Sequence, residues 1–171
     1  MSHPGKFERG SPLVSAIYSD KKNLPLLEME IKEKWGRIIL SSVSYPFRVE
    51  YYQREMGERL WRKFYLTEGL YLINALVEMK LWAYGFEVYT SRGGRRSVNI
   101  DPGLLFTPSL IIATFKPYSH RVPLEKGVYA HLELEFSRGK PRALPWTYPD
   151  FASGAYNPFL EEAWKRHRAV V

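Results

Sequence analysis

The chain has 171 residues, 25 Lys and Arg against 18 Asp and Glu, a net charge of +7 and no cysteine. That length suits one domain over residues 1–171 and lets folding bury roughly 70% of the unfolded chain's surface. The missing cysteines exclude a disulfide framework, a thiolate zinc site and a cysteine nucleophile, and fit a reducing cytoplasm.

Met1 to Arg9 has no apolar core of signal-peptide length. Leu13 to Tyr18 reads as a buried first strand. Asn23 is a candidate cap for a helix with Pro25 in its first turn, an apolar stripe of Leu24, Leu27, Ile31 and Trp35, and Gly36 as its stop. Ile38 to Ser44 follows as a strand closed by Tyr45-Pro46-Phe47, and Glu50 to Gly57 as a short helical excursion. In Leu60 to Leu66 a strand alternates Leu60, Arg62, Phe64 and Leu66 against Trp61, Lys63 and Tyr65. Thr67 then caps the longest predicted helix, with Leu70, Ile73, Val77, Leu81 and Tyr84 inward and Gly85 at its end. Ser97 to Ile100 is a further strand.

Strand, helix, strand, strand, helix, strand is the order of a ferredoxin-like βαββαβ core, an α+β fold with an antiparallel sheet. We expect that core over about 12–101 and an extension over about 102–171. In the extension, Thr107 to Phe115 fits a helix or a strand. Arg121 to Leu124, Val128 to Phe136 and Ala143-Leu144 suggest an antiparallel hairpin, and Asn157-Pro158 opens a final helix with Phe159, Leu160, Ala163 and Trp164 inward. The longest aliphatic run, Leu110 to Ala113, is far below the ~20 residues that span a bilayer, so no membrane partner is expected.

Candidate chemistry concentrates in residues 99–150. Asp101-Pro102-Gly103 suits a turn, with the Asp101 carboxylate as a general base or metal ligand and Asn99 on the same face. His120 beside Arg121 has its charged form disfavoured, which suits an acid–base role, while Arg121 and Lys116 are candidate anion holders. From Val128 to Phe136, strict alternation sets Tyr129, His131, Glu133 and Glu135 on the polar, half-exposed face. Glu133 joins Asp101 and His120 as a candidate catalytic group, and Tyr129 is a candidate substrate contact. In Trp146-Thr147-Tyr148-Pro149-Asp150, Trp146 is placed to stack on a flat ligand and Asp150 to hydrogen-bond it. Arg95 and Arg96 sit in an Arg- and Gly-rich loop suited to phosphate. No phosphate-loop, dinucleotide or nucleophile-elbow motif occurs, and no diagnostic metal spacing.

The runs Tyr51-Tyr52-Gln53-Arg54-Glu55-Met56-Gly57, Arg96 to Gly103, Ser119-His120-Arg121 with Gly127-Val128-Tyr129-Ala130, and Trp146 to Asp150 resemble one uncharacterised prokaryotic family, the domain of unknown function numbered four-four-one-six. The resemblance spans Tyr18 to about Phe151. It implies a stand-alone, cytoplasmic, single-domain bacterial protein, with an acidic residue expected in the family where His131 stands.

The residues point first to a soluble enzyme or ligand-binding domain acting on a small anionic or phosphorylated ligand, nucleotides included, in a pocket built from residues 99–150. The rival is a basic RNA-binding accessory protein, motivated by the charge, the arginine clusters and 15% aromatics. The excess charge is spread, +3 over residues 1–85 and +4 over 86–171. No cofactor and no oligomeric state can be read from the sequence.

Overall fold

The structure is a computed structural model describing His3 and residues 5–171. It is a mixed α+β architecture, a nine-stranded antiparallel sheet with five helices. The chain runs through β1 (Ser11–Tyr18), a 3-10 turn at Lys21–Asn23, α1 (Leu24–Trp35), β2 (Ile38–Ser41), β3 (Tyr45–Phe47), α2 (Glu50–Met56) and β4 (Leu60–Thr67). After α3 (Ala75–Thr90) come β5 (Val98–Leu105), β6 (Ser109–Thr114), β7 (Val122–Pro123), β8 (Tyr129–Ser137), β9 (Lys140–Ala143), α4 (Pro149–Ala152) and α5 (Asn157–Arg168). The strand order is β2-β4-β1-β5-β6-β8-β7, with β3 on β4 and β9 on β8.

Side chains alternate across a strand, so each strand serves two cores. Val14, Ala16 and Tyr18 of β1 pack under α1 and α3 with Leu27, Ile31, Leu76 and Met79. Leu13 faces the other way, against Phe159, Leu160 and Ala163 of α5. Ile17 joins it on that side, beside Phe47 and α2's Met56. With helices over both faces, β1 is buried throughout, and its sequence accordingly reads as a nearly unbroken apolar run.

Three local expectations change and one open alternative is decided. Asp101-Pro102-Gly103 is no turn: β5 runs straight through it, paired to β1 from Ser11↔Leu105 to Tyr18↔Val98. The long helix begins at Ala75 rather than after Thr67, and continues over Gly85 to Thr90. Its buried side carries Leu76, Met79, Lys80, Ala83, Phe86 and Glu87, while Tyr84 is exposed. The Tyr45-Pro46-Phe47 closure is itself strand β3. Within Thr107 to Phe115, Ser109–Thr114 is a strand, in keeping with β-branched Ile111-Ile112.

Candidate functional site

A gap in the sheet makes the pocket. β5 and β6 pair only from Gly103↔Ile112 to Leu105↔Leu110, and beyond that the ladder stops. Backbone polar groups of alternate residues point to the same strand edge, so Ile100, Pro102 and Leu104 present theirs together. Pro102 has no N–H to continue the ladder. Ile100 is satisfied instead by α3: its N–H donates to Glu87 Oε1 at 2.7 Å and its carbonyl accepts from Lys80 Nζ at 3.1 Å. These two charged residues are the reason α3 turns a mixed face inward.

The resulting cavity, about 170 Å³, is lined by Asn99 and Asp101 from β5, Lys80 and Glu87 from α3, Arg96, Thr114 and Lys116, with Tyr51, Tyr52, Phe115 and Tyr148 around them. Arg96 grips Glu55 with two 2.6 Å bonds and donates to Asn99 Oδ1 at 2.6 Å. Guanidinium only donates, so this contact fixes the Asn99 amide with its oxygen on Arg96. Its Nδ2 is left buried without a partner, on a residue 4% exposed. Burial pushes the Glu87 carboxyl above the usual range, against the pull of Lys80 and the Ile100 N–H. Burial, with Asp101 nearby, pushes the Tyr148 hydroxyl up to about 12 and also raises Tyr52. Lys116 is exposed at the pocket mouth, its Nζ 5.4 Å from the Tyr51 ring centre.

Behind Asp101 lies Arg62, an inward-facing charge on β4 that is 3% exposed. It donates to Ser15 Oγ at 2.8 Å, and its NH1 stands 3.6 Å from Asp101 Oδ2. Its Nε approaches Asp150 Oδ2 at 3.1 Å, an ion-pair contact too poorly aligned to count as a hydrogen bond. Asp150 also accepts from Tyr156 at 2.9 Å. Phe47 and Phe151 lie 4.9 and 5.2 Å from the guanidinium carbon. Two carboxylates and two rings thus offset the cost of burying one cation.

Tyr148 links the pocket to a second cluster. Its hydroxyl accepts from Arg121 NH2 at 3.1 Å, and its N–H donates to Glu133 Oε1 at 2.9 Å. Arg121 Nε donates to His131 Nδ1 at 3.2 Å. That nitrogen is therefore an acceptor, which puts the proton of neutral His131 on Nε2, directed at Glu133 Oε2 2.7 Å away. His120 Nε2 reaches the same Nδ1 at 3.2 Å, while its ring stacks on Trp146 at 5.0 Å. Burial and the neighbouring His131 and Arg121 lower the His120 pKa. His131 and Glu133 are both fully buried, not half-exposed as the alternation suggested. His131, in register with Ile112, is covered by His120, Arg121 and Tyr148, and Glu133 is the extra residue of a bulge, since β6 pairs Leu110 with Leu134 but Ile111 with Leu132. Leu134 is thereby turned into the α5-side core.

Of the residues singled out in the sequence, Asn99, Asp101, Arg96 and Lys116 meet in the cavity; His120, Arg121, Glu133 and Trp146 meet around His131. Asp150 sits with Arg62. Tyr129 is a ladder residue opposite Thr114 and Pro123, and Arg95 is exposed, bridged to Arg92. Sequence reasoning missed Arg62, Lys80, Glu87, Tyr52 and Tyr148. Arg62 did carry a signal, a charge within the apolar row Leu60, Phe64, Leu66. Among the described residues no group of three or more His, Asp or Glu side chains is arranged to hold a metal ion. A larger apolar groove of about 420 Å³ lies elsewhere, between Phe7, Leu72, Ile73, Phe106 and Pro108. Its one carboxylate, Glu8, already accepts from both Thr107 N and Oγ1.

The sequence model of a family described as Domain of unknown function (DUF4416) matches residues 9–167. The chain belongs to this family. No curated protein and no solved structure matches this DUF4416 chain.

Proposed function

We propose that the Asn99 cavity binds a small anionic or phosphorylated molecule, as the binding or active site of a soluble, cytoplasmic protein. The observation that carries this reading is Asn99, a residue of the cavity lining beside Lys80, Arg96 and Lys116 whose Nδ2 is a buried donor without a partner. An unpaired buried donor costs roughly 1–3 kcal/mol, a cost that a ligand oxygen removes. Lys80 and Lys116 supply positive charge, and the Glu87 carboxylate is engaged by Arg96 at 3.4 Å and by the Ile100 N–H.

In this reading Asp101 is the ligand-facing proton acceptor and His120 the acid–base group of the adjoining cluster, held by His131, Arg121 and Glu133. Trp146 and Asp150 stay in supporting positions. The scaffold is a ferredoxin-like core formed by β1, α1, β2, β4, α3 and β5, supported by the adjacency β2-β4-β1-β5. The cytoplasmic location is supported by the absence of cysteine.

Calorimetric titration with inorganic phosphate tests the reading. Saturable binding is expected, weakened about tenfold or more in Lys116→Ala, an exposed site whose loss leaves stability unchanged. Absence of binding, or identical binding by Lys116→Ala, would overturn it.

A further inference from the structure

We propose that the ligand of this cavity is a short hydroxylated anion, a molecule of the size of a three- or four-carbon polyol phosphate or hydroxy acid, and not a whole nucleotide. This rests on the anion-binding reading above and adds the substrate class.

Size is the first ground. The cavity is small, about 170 Å³. Sites that enclose drug-sized ligands run to roughly 300–1,000 Å³.

Polarity is the second. Asn99 and Asp101 lie two residues apart on the same face of β5, about 6.5 Å along the strand. At one end, around Asn99, stand its free Nδ2, Lys80 and Arg96, and the Glu87 carboxylate between them is already engaged by Arg96 at 3.4 Å and by the Ile100 N–H. At the other end the Asp101 carboxylate is an acceptor, with 19% of its side chain exposed. Arg62 stands behind it at 3.6 Å, shared with Asp150 at 3.1 Å, so the carboxylate is partly screened on its far side. A ligand satisfying both ends therefore carries acceptor oxygens at one terminus and a hydroxyl donor a few bonds away. Inorganic phosphate would satisfy only the first end. Selectivity follows from the Asp101 end, because a site built to bond a hydroxyl discriminates against an analogue without one.

The test compares two phosphate monoesters of equal charge, glycerol 3-phosphate and ethyl phosphate, together with adenosine monophosphate, by calorimetry on the full chain. Glycerol 3-phosphate is expected to bind about tenfold tighter than ethyl phosphate, a hydrogen bond to a charged group being enough for that ratio. Asp101→Asn is expected to bring the two esters together by weakening glycerol 3-phosphate, with ethyl phosphate little changed. Equal affinities for the two esters in the wild-type chain would overturn the hydroxyl assignment and leave the anion pocket standing. Tighter binding of the nucleotide would overturn the size assignment. Failure of every phosphate compound to bind would remove the anion pocket and this inference with it.

Discussion

At the scale of single residues, the molecule places several ionisable groups where their solvation is poor and compensates each locally. Glu133 is the most demanding: it accepts from the Tyr148 N–H and faces His131, both within 3 Å. Glu133→Ala strands those donors in the interior and is expected to cost about 2–5 kcal/mol by urea unfolding. A loss below about 1 kcal/mol would show that the cluster is hydrated or rearranges freely. His167, fully buried on α5, gives a pH signature. Burial lowers its pKa below the ordinary 6.5, outweighing the attraction of Glu8 3.2 Å away. The unfolded chain therefore binds more protons than the folded one just below that value, and stability drops as pH falls through about 6.5. His167→Gln is expected to flatten the loss of unfolding free energy between about pH 7 and pH 5; an unchanged slope would assign it to other groups.

At the scale of elements, β5 decides where the cavity is. Pro102 interrupts the ladder to β6, and Gly103 permits its last close approach: a Cβ there would lie 2.7 Å from the Ile111 carbonyl oxygen. That oxygen belongs to backbone and cannot swing aside. Gly103→Ala is thus expected to destabilise the protein by about 1–3 kcal/mol and to disturb amides of both strands in NMR spectra; a neutral substitution would mean the β5–β6 contact is loose. The same elements show what the sequence makes legible. Spacing locates α1, β4 and α5 because each has one clean periodicity, and β1 shows as an apolar run. Asp-Pro-Gly reads locally as a turn, and nothing local reveals that eight residues of β1 hold it extended. The α3 face was misplaced because Lys80 and Glu87, which serve Ile100, occupy positions that periodicity assigns to solvent. The bulge at Glu133 shifts the parity of β8, and strict alternation cannot foresee an extra residue. For the candidate site, the sequence yields the segment but not the partners, because Tyr148, Arg62 and α3 reach it through tertiary packing.

At the scale of the whole molecule, two helical layers enclose one sheet, and α5 is what seals the second face. Phe159 stacks on Phe64 of β4 at 5.3 Å, and Phe64 is fully buried. Phe159→Ala is expected to cost about 3–5 kcal/mol by denaturant unfolding; a cost below about 1 kcal/mol would mean α5 lies on the sheet without supporting it. The net charge of +7 is spread along the chain, +3 over residues 1–85 and +4 over 86–171. Arg37, Arg54, Arg96, Lys140 and Arg166 are each paired with a glutamate. Single-stranded RNA is therefore expected to bind weakly and to release as salt rises to about 0.2 M, through counterion exchange alone. Tight binding that persists there would favour a dedicated nucleic-acid surface.

The central claim is that Asn99 Nδ2 waits for a ligand oxygen, and the side-chain amide of Asn99 can report on it directly. Inorganic phosphate titrated into nitrogen-15-labelled protein should shift that amide signal saturably, together with the Ile100 backbone amide beside it. Shifts confined to the basic C-terminal end of α5, or none that saturate, would contradict the claim.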